Sequence, residues 1–89
     1  MFEKLVKARD FFADSPDPTL RREYLNSLSN DEVINLCAAM HAGRDRSADC
    51  TRHRKIIRGP DSARAAVWMN PPGAVSEYLN EYLSLNPQH

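Results

Sequence analysis

Apolar residues recur at steps of three and four along every segment of the chain, and Pro and Gly interrupt that spacing at short intervals. An α-helix turns once in about 3.6 residues, so this spacing gives each segment one apolar face. No segment alternates apolar and polar residues with a period of two, and β-branched residues are sparse. The sequence therefore predicts an all-α fold, a compact bundle of five or six short helices in a single domain over residues 1–89.

Capping residues and helix breakers mark the ends of the first three predicted helices. The first helix should stop before residues 14–18, where two prolines lie two residues apart. Asp17 is expected to cap the second helix, with Pro18 at its first position. Residues 29–32 have the pattern of a capping box that starts the third helix, and Gly43 is expected to end that helix as a left-handed cap.

The same signals divide the second half of the chain. The basic segment through Arg58 is predicted to be a fourth helix, closed by the Gly-Pro pair at residues 59–60. Asp61 is expected to cap a short Ala-rich helix, which the prolines of residues 70–73 break because a residue before proline is pushed out of the helical conformation. The last helix should fray at residues 86–87.

The apolar spacing also predicts which residues form the core. The third helix carries the clearest stripe and is expected to be the central helix; its stripe comprises Val33, Leu36, Cys37, Met40 and His41. The second helix should bury a face made of Leu20, Tyr24, Leu25 and Leu28. The last helix should bury a face made of Val75, Tyr78, Leu79, Tyr82 and Leu83.

Length and charge exclude several classes of protein. A chain of 89 residues can bury one core but leaves little material for a deep substrate cleft, so we expect no enzymatic activity and no cofactor. Lys+Arg and Asp+Glu number 12 each, so attraction of a polyanion would need a local patch. Two cysteines are too few for a disulfide framework, which favours a cytoplasmic location. The charged N-terminus contains no long apolar run, so we expect neither a leader nor a membrane partner.

Three blocks, residues 22–32, 36–45 and 69–79, together resemble the bacterial family of domains of unknown function numbered 3775. The family pattern runs from an acidic-capped helix into an apolar helix that ends in a Gly-Arg-Gly-Asp turn, and a small-residue/Pro break precedes a final Tyr-Leu helix. This chain departs from the pattern after Gly43, where the second glycine is missing, and at Cys37 and His41, which stand where apolar residues are expected. The resemblance implies a compact helical bacterial domain and carries no activity.

Two Cys-His pairs form a candidate zinc site. Helical spacing places Cys37 with His41 on one face and Cys50 with His53 on another, and two thiolates with two imidazoles would complete a tetrahedral site. The plainer interpretation is that Cys37 is a small buried hydrophobe and that His41 lies at the rim of the core. The spacing matches no standard zinc module, so a structural role is favoured over zinc.

A local excess of positive charge lies in the predicted fourth helix. Its cations are Arg52, Arg54, Lys55 and Arg58, and three of them would share one helical stripe, namely Arg52, Lys55 and Arg58. Such a stripe is suited to an acidic protein surface or to phosphates. No aromatic residue interleaves it, and a charge run of this size is most often a solvated helix face.

Large aromatic residues cluster late in the chain. Trp68, Tyr78 and Tyr82 flank the Pro-Pro-Gly break, and rings of this kind anchor many protein interfaces. They equally often close the core of a small bundle. We favour Trp68 as a core residue, with Tyr78 or Tyr82 at a surface groove as the second interpretation.

These features favour a non-enzymatic protein-binding domain of bacterial or phage type, such as a small phage-borne inhibitor of a host system. The contact surface would combine the basic stripe with the C-terminal aromatics, and the partner would be another protein or a second copy in a homodimer. The alternative is a nucleic-acid-binding accessory protein that uses residues 52–58. A zinc-stabilised module is the third hypothesis.

Overall fold

The structure, a computed structural model, describes residues 2–87, and these form α-helices and no strand. The helices are α1 (Phe2–Ala13), α2 (Pro18–Ser27), α3 (Asn30–Arg44), α4 (Thr51–Ile56), α5 (Pro60–Met69) and α6 (Pro72–Leu85). The predicted all-α bundle of short helices is therefore confirmed. None of these helices is long and apolar enough to cross a lipid bilayer.

The predicted starts of α2 and α3 are confirmed by their hydrogen bonds. The Asp17 carboxylate accepts from the Leu20 amide at 2.8 Å, and Pro18 opens the helix behind it. At α3, the Ser29 hydroxyl accepts from the Glu32 amide at 3.2 Å, and the Ser29 amide donates to the Glu32 carboxylate at 2.8 Å. Lys4 of α1 lies 2.8 Å from the same carboxylate. Hydrogen bonds from Lys4 and then Ser29 lower the pKa of Glu32 to about 2.

The end of α3 differs from the prediction. Gly43 is a buried helical residue with an ordinary negative φ, and the helix continues to Arg44. The left-handed position is Arg46, at φ 56°. The Arg46 amide donates to the Gly43 carbonyl at 3.1 Å, and the Ser47 amide donates to the Ala42 carbonyl at 2.8 Å. This is the Schellman pattern of helix termination, built on an arginine instead of a glycine.

Gly43 instead allows α6 to pack closely on α3. A Cβ atom at this position would overlap the Tyr78 carbonyl and lie 3.2 Å from the Tyr82 amide nitrogen. The close approach explains why a glycine stands in the interior of a helix, where it has poor helical propensity. Gly43 is required here because it lacks a side chain, and not because it adopts a left-handed conformation.

Two further boundaries correct the sequence-based predictions. Helix α4 ends at Ile56, because Ile57 has an extended backbone with ψ 124°. Arg58 therefore lies in the link to α5, and the predicted helical stripe of Arg52, Lys55 and Arg58 does not form. Asp61 does not cap α5: the helix starts one residue earlier, at Pro60, and Asp61 lies in its first turn.

The core lies around α3, which packs against α1, α4, α5 and α6 and is the predicted central helix. Of its predicted stripe, His41 alone is partly exposed. Helix α2 buries only Leu25, while Tyr24 stacks on Phe11 with ring centroids 4.3 Å apart. Leu20 is 49% exposed, which corrects its expected burial, because it lies about 140° around the helix from Leu25. Helix α4 contributes no buried residue.

Candidate functional site

Helix α4 is the element that the fold leaves most open to solvent. It has six residues, none of them buried, and it packs against α3. Its N-terminus is set by the preceding loop, where the Asp49 carboxylate accepts from the Thr51 amide at 2.9 Å. So short a helix has little intrinsic stability, so its position depends on the loop and on α3.

Every Lys and Arg between residues 52 and 58 is exposed, and none has a carboxylate within 4 Å in the part of the chain that the structure describes. These cations are the predicted partner-binding residues Arg52, Arg54, Lys55 and Arg58. Elsewhere, Lys4, Arg9, Arg44 and Arg64 each contact an acidic side chain. The positive charge around α4 is therefore available to an anionic partner. We call these four cations, together with Ile56, the basic surface.

Ile56 adds a large apolar side chain to this basic segment. The residue is the last one of α4 and is 72% exposed, whereas the next residue, Ile57, is half-buried. Helical spacing makes it a neighbour of both Arg52 and His53. An exposed isoleucine between cations is unsuited to a purely solvated helix face and suits a contact with another molecule.

A polar cleft of about 600 Å³ separates α4 from the end of α3. It is lined by His41, Arg44, Asp45, Ser47, Asp49, Arg52, His53 and Ile56. Asp45 is already engaged, since Arg44 Nε donates to its Oδ1 at 3.3 Å and His53 Nε2 lies 3.6 Å from its Oδ2. Asp49 is engaged by the Thr51 amide. The acidic groups of the cleft are thus used internally, and Arg52 is the cation left without a partner.

His41 forms the wall of the cleft on the α3 side. Its ring lies 6.4 Å from that of His53, and its Nδ1 atom is buried without a hydrogen-bond partner. Burial, followed by the charges of Arg44 and the nearby His53, lowers the pKa of His41. The imidazole is therefore neutral near pH 7, as a histidine at the rim of the core is expected to be.

The four predicted zinc ligands do not come together as one site. Cys37 is buried one helical turn before His41, and burial raises the pKa of its thiol to about 11. Cys50 lies instead beside Tyr82 and contributes to the raised pKa of that tyrosine. Within residues 2–87, no group of three or more His, Cys, Asp or Glu side chains is placed to hold a metal ion. The arrangement of these four residues does not fit a tetrahedral zinc site.

An apolar groove of about 210 Å³ continues from the polar cleft on the other side of Ile56. Its lining residues are Cys37, His41, Ile56, Ile57, Arg58, Ser62 and Ala66. The cleft and the groove share His41 and Ile56, so they adjoin along α4. We call the two together the trough. It has a polar end near Arg52 and an apolar end near Ala66.

The predicted aromatic residues do not form a single surface. Tyr78 and Tyr82 are half-buried on α6, and burial together with the neighbouring Cys50 raises the pKa of Tyr82 to about 12. Tyr82 therefore lies next to the start of α4. Trp68 faces α2 instead: its indole N–H donates to the Pro18 carbonyl at 3.0 Å, and the Arg22 guanidinium lies 4.9 Å from its ring centroid. Trp68 is partly exposed, so it is an α2–α5 contact residue more than a core residue.

Several residues of the trough were not among the predicted site residues. Arg44 and Asp45 follow Gly43, the predicted end of the third helix, and Ile56, Ile57 and Ala66 lie outside the predicted charged and aromatic residues. One signal was available: Ile56 and Ile57 are the only large apolar residues between residues 41 and 66. An apolar pair isolated in a basic segment is a stronger pointer to a contact than the charges alone.

Comparisons with protein-family models, with curated proteins and with solved structures find no match for this chain.

Proposed function

We propose that this chain is a non-enzymatic protein-binding domain that docks an acidic protein partner on the basic surface. The observation that carries the proposal is the exposed Ile56, one helical turn from Arg52, in a segment whose Lys and Arg side chains have no carboxylate within 4 Å in residues 2–87. Charge supplies attraction and orientation, and burial of an apolar side chain supplies affinity.

A protein partner is supported over a nucleic acid by the apolar component. Nucleic-acid surfaces combine cations with aromatic or polar residues that reach bases, and α4 has none of the aromatic residues. The balanced total charge also leaves no long-range field to recruit a polyanion. The isoleucine and the adjoining groove, by contrast, match the apolar centre and charged rim of a protein interface.

The test uses two labelled probes in fluorescence anisotropy. The first is a blocked decapeptide in which two adjacent glutamates are followed by two leucines, here called the acidic peptide. The second is a short DNA duplex. Each is titrated with the wild-type protein, with Lys55→Glu, and with Lys7→Glu as the matched control. Lys7 is likewise exposed on a helix and has no acidic partner within the described residues, so both variants make the same change in net charge.

We expect the acidic peptide to bind the wild type and Lys7→Glu alike and to bind Lys55→Glu several-fold more weakly. Binding should weaken as salt is added. Equal binding to the two variants, or no binding at millimolar protein, would contradict the proposal. Tight binding of the duplex that Lys55→Glu abolishes would favour the nucleic-acid alternative. A concentration-dependent mass in analytical ultracentrifugation that Lys55→Glu removes would identify the partner as a second copy.

A further inference from the structure

We propose that the trough along α4 is the specificity site of this domain and that it receives a carboxylate and a neighbouring apolar side chain from one segment of the partner. The inference rests on the proposed function, which it refines from a charged surface to a defined site. The trough joins a polar cleft to an apolar groove, and Ile56 stands at the junction of the two. A ligand that is only charged or only apolar would contact one end of the trough and leave the other end empty.

The polar end is suited to a carboxylate because its own acids are occupied. Asp45 is held between Arg44 and His53, and the Asp49 carboxylate accepts from the Thr51 amide at the start of α4. An incoming carboxylate therefore meets Arg52 as a cation that has no carboxylate within 4 Å in the described part of the chain. Arginine binds a carboxylate through two parallel N–H donors, which orients the ligand as well as attracting it.

The apolar end is suited to one aliphatic side chain. Its floor is formed by the buried Cys37 and the half-buried Ile57 and Ala66, and its volume of about 210 Å³ exceeds that of a single leucine side chain. Burial raises the pKa of the Cys37 thiol to about 11, so the floor carries no charge at neutral pH. Arg58 lies at the rim, where it is placed to pair with a second acidic residue of the same segment.

The two ends are tested separately with altered peptides and altered protein. The acidic peptide is compared with a version in which glutamine replaces the glutamates and a version in which serine replaces the leucines. In the protein, Ala66→Trp fills the apolar end. Its matched control is Ala65→Trp, the preceding residue, which lines a different groove beside Trp68. Ser62→Trp, at an exposed position that also lines the apolar end, is the second variant in case Ala66→Trp folds poorly.

We expect each altered peptide to bind about tenfold more weakly than the acidic peptide, because each loses one half of the contact. Ala66→Trp or Ser62→Trp should weaken the acidic peptide by a similar factor, and Ala65→Trp should leave its binding unchanged. In ¹⁵N-labelled protein, the glutamine peptide should lose the resonance shifts near Arg52, and the serine peptide those near Ala66.

The outcomes separate this inference from the proposed function. If the acidic peptide binds and Lys55→Glu weakens it, but neither tryptophan variant at the apolar end has an effect, then the basic surface binds and the trough is not the site. If the serine peptide binds as well as the acidic peptide, the apolar end is likewise not used. If the acidic peptide does not bind the wild type at all, the proposed function fails together with this inference.

Discussion

Replacement of Gly43 by alanine tests the close packing between α6 and α3, the helix whose His41 lines the trough. Alanine gains about 1 kcal/mol over glycine in a helix interior. At this position, however, its Cβ would overlap the Tyr78 carbonyl and lie 3.2 Å from the Tyr82 amide nitrogen. The obstacle is helix backbone and cannot rotate away as a side chain would, so α3 and α6 must separate along a buried contact.

The balance of these two effects gives the expected magnitude. Overpacking of a core costs about 1–3 kcal/mol, and a clash with backbone belongs at or above the upper end of that range. After the gain in helical propensity is subtracted, Gly43→Ala should lower the free energy of unfolding by about 2 kcal/mol. For a domain of this size, the melting temperature should fall by about 10 °C.

The assay is urea unfolding followed by far-ultraviolet circular dichroism, with Gly73→Ala as the matched control. Gly73 lies in the first turn of α6, and a Cβ there meets no atom within 4 Å. The control should therefore be as stable as the wild type or up to about 1 kcal/mol more stable. If Gly43→Ala also matched or exceeded the stability of the wild type, the close α3–α6 contact would be refuted.

Three other substitutions test local features of the fold. Arg46→Gly should raise the free energy of unfolding by about 1 kcal/mol, since Arg46 has a left-handed backbone that favours glycine, and an unchanged urea midpoint would contradict this. Ser29→Ala should lower the free energy of unfolding by about 1 kcal/mol through loss of the α3 cap, and a thermal melt identical to that of the wild type would refute it. The lowered pKa of His41 means that the unfolded chain takes up its proton first, so stability should fall as pH drops below about 6.5 and continue to fall until the folded protein is protonated. His41→Leu should remove this part of the pH dependence of the urea midpoint; a slope equal to that of the wild type would show that His41 does not cause it.

Local signals were sufficient to predict the fold class and several boundaries. Asp17 and Pro18 start α2 and the Ser29 box starts α3, because a cap is a matter of residues within one turn of each other. The apolar stripe of α3 likewise identified the central helix. These features depend on residues close together in the sequence, and tertiary contacts reinforce them.

The failed predictions concern residues whose role is set by another helix. Gly43 is of the residue type that commonly ends a helix, but here the close approach of the α6 backbone is what requires a glycine. Leu20 continues an apolar spacing, but α2 packs on its neighbours through Leu25 and leaves Leu20 exposed. Arg58 follows a basic helical pattern, but the chain must extend at Ile57 to reach α5.

The candidate site was predicted in part. The four cations of the basic surface were named from the sequence, and all are exposed around α4. The trough was not predicted. Residues of α3 and α5 line it on the same side of α4, and no spacing along the chain indicates that arrangement. The separation of Trp68 from Tyr82 is tertiary in the same sense: one faces α2, and the other faces the start of α4.

The most direct test of the central claim compares two exposed apolar residues by calorimetric titration with the acidic peptide. Ile56 and Met69 are 72% and 76% exposed, and each is the last residue of its helix. Both alanine variants should unfold within about 0.5 kcal/mol of the wild type. Ile56→Ala should bind the acidic peptide about tenfold more weakly, and Met69→Ala should bind it as the wild type does. Equal affinity of the two variants would contradict the assignment of α4 as the binding surface.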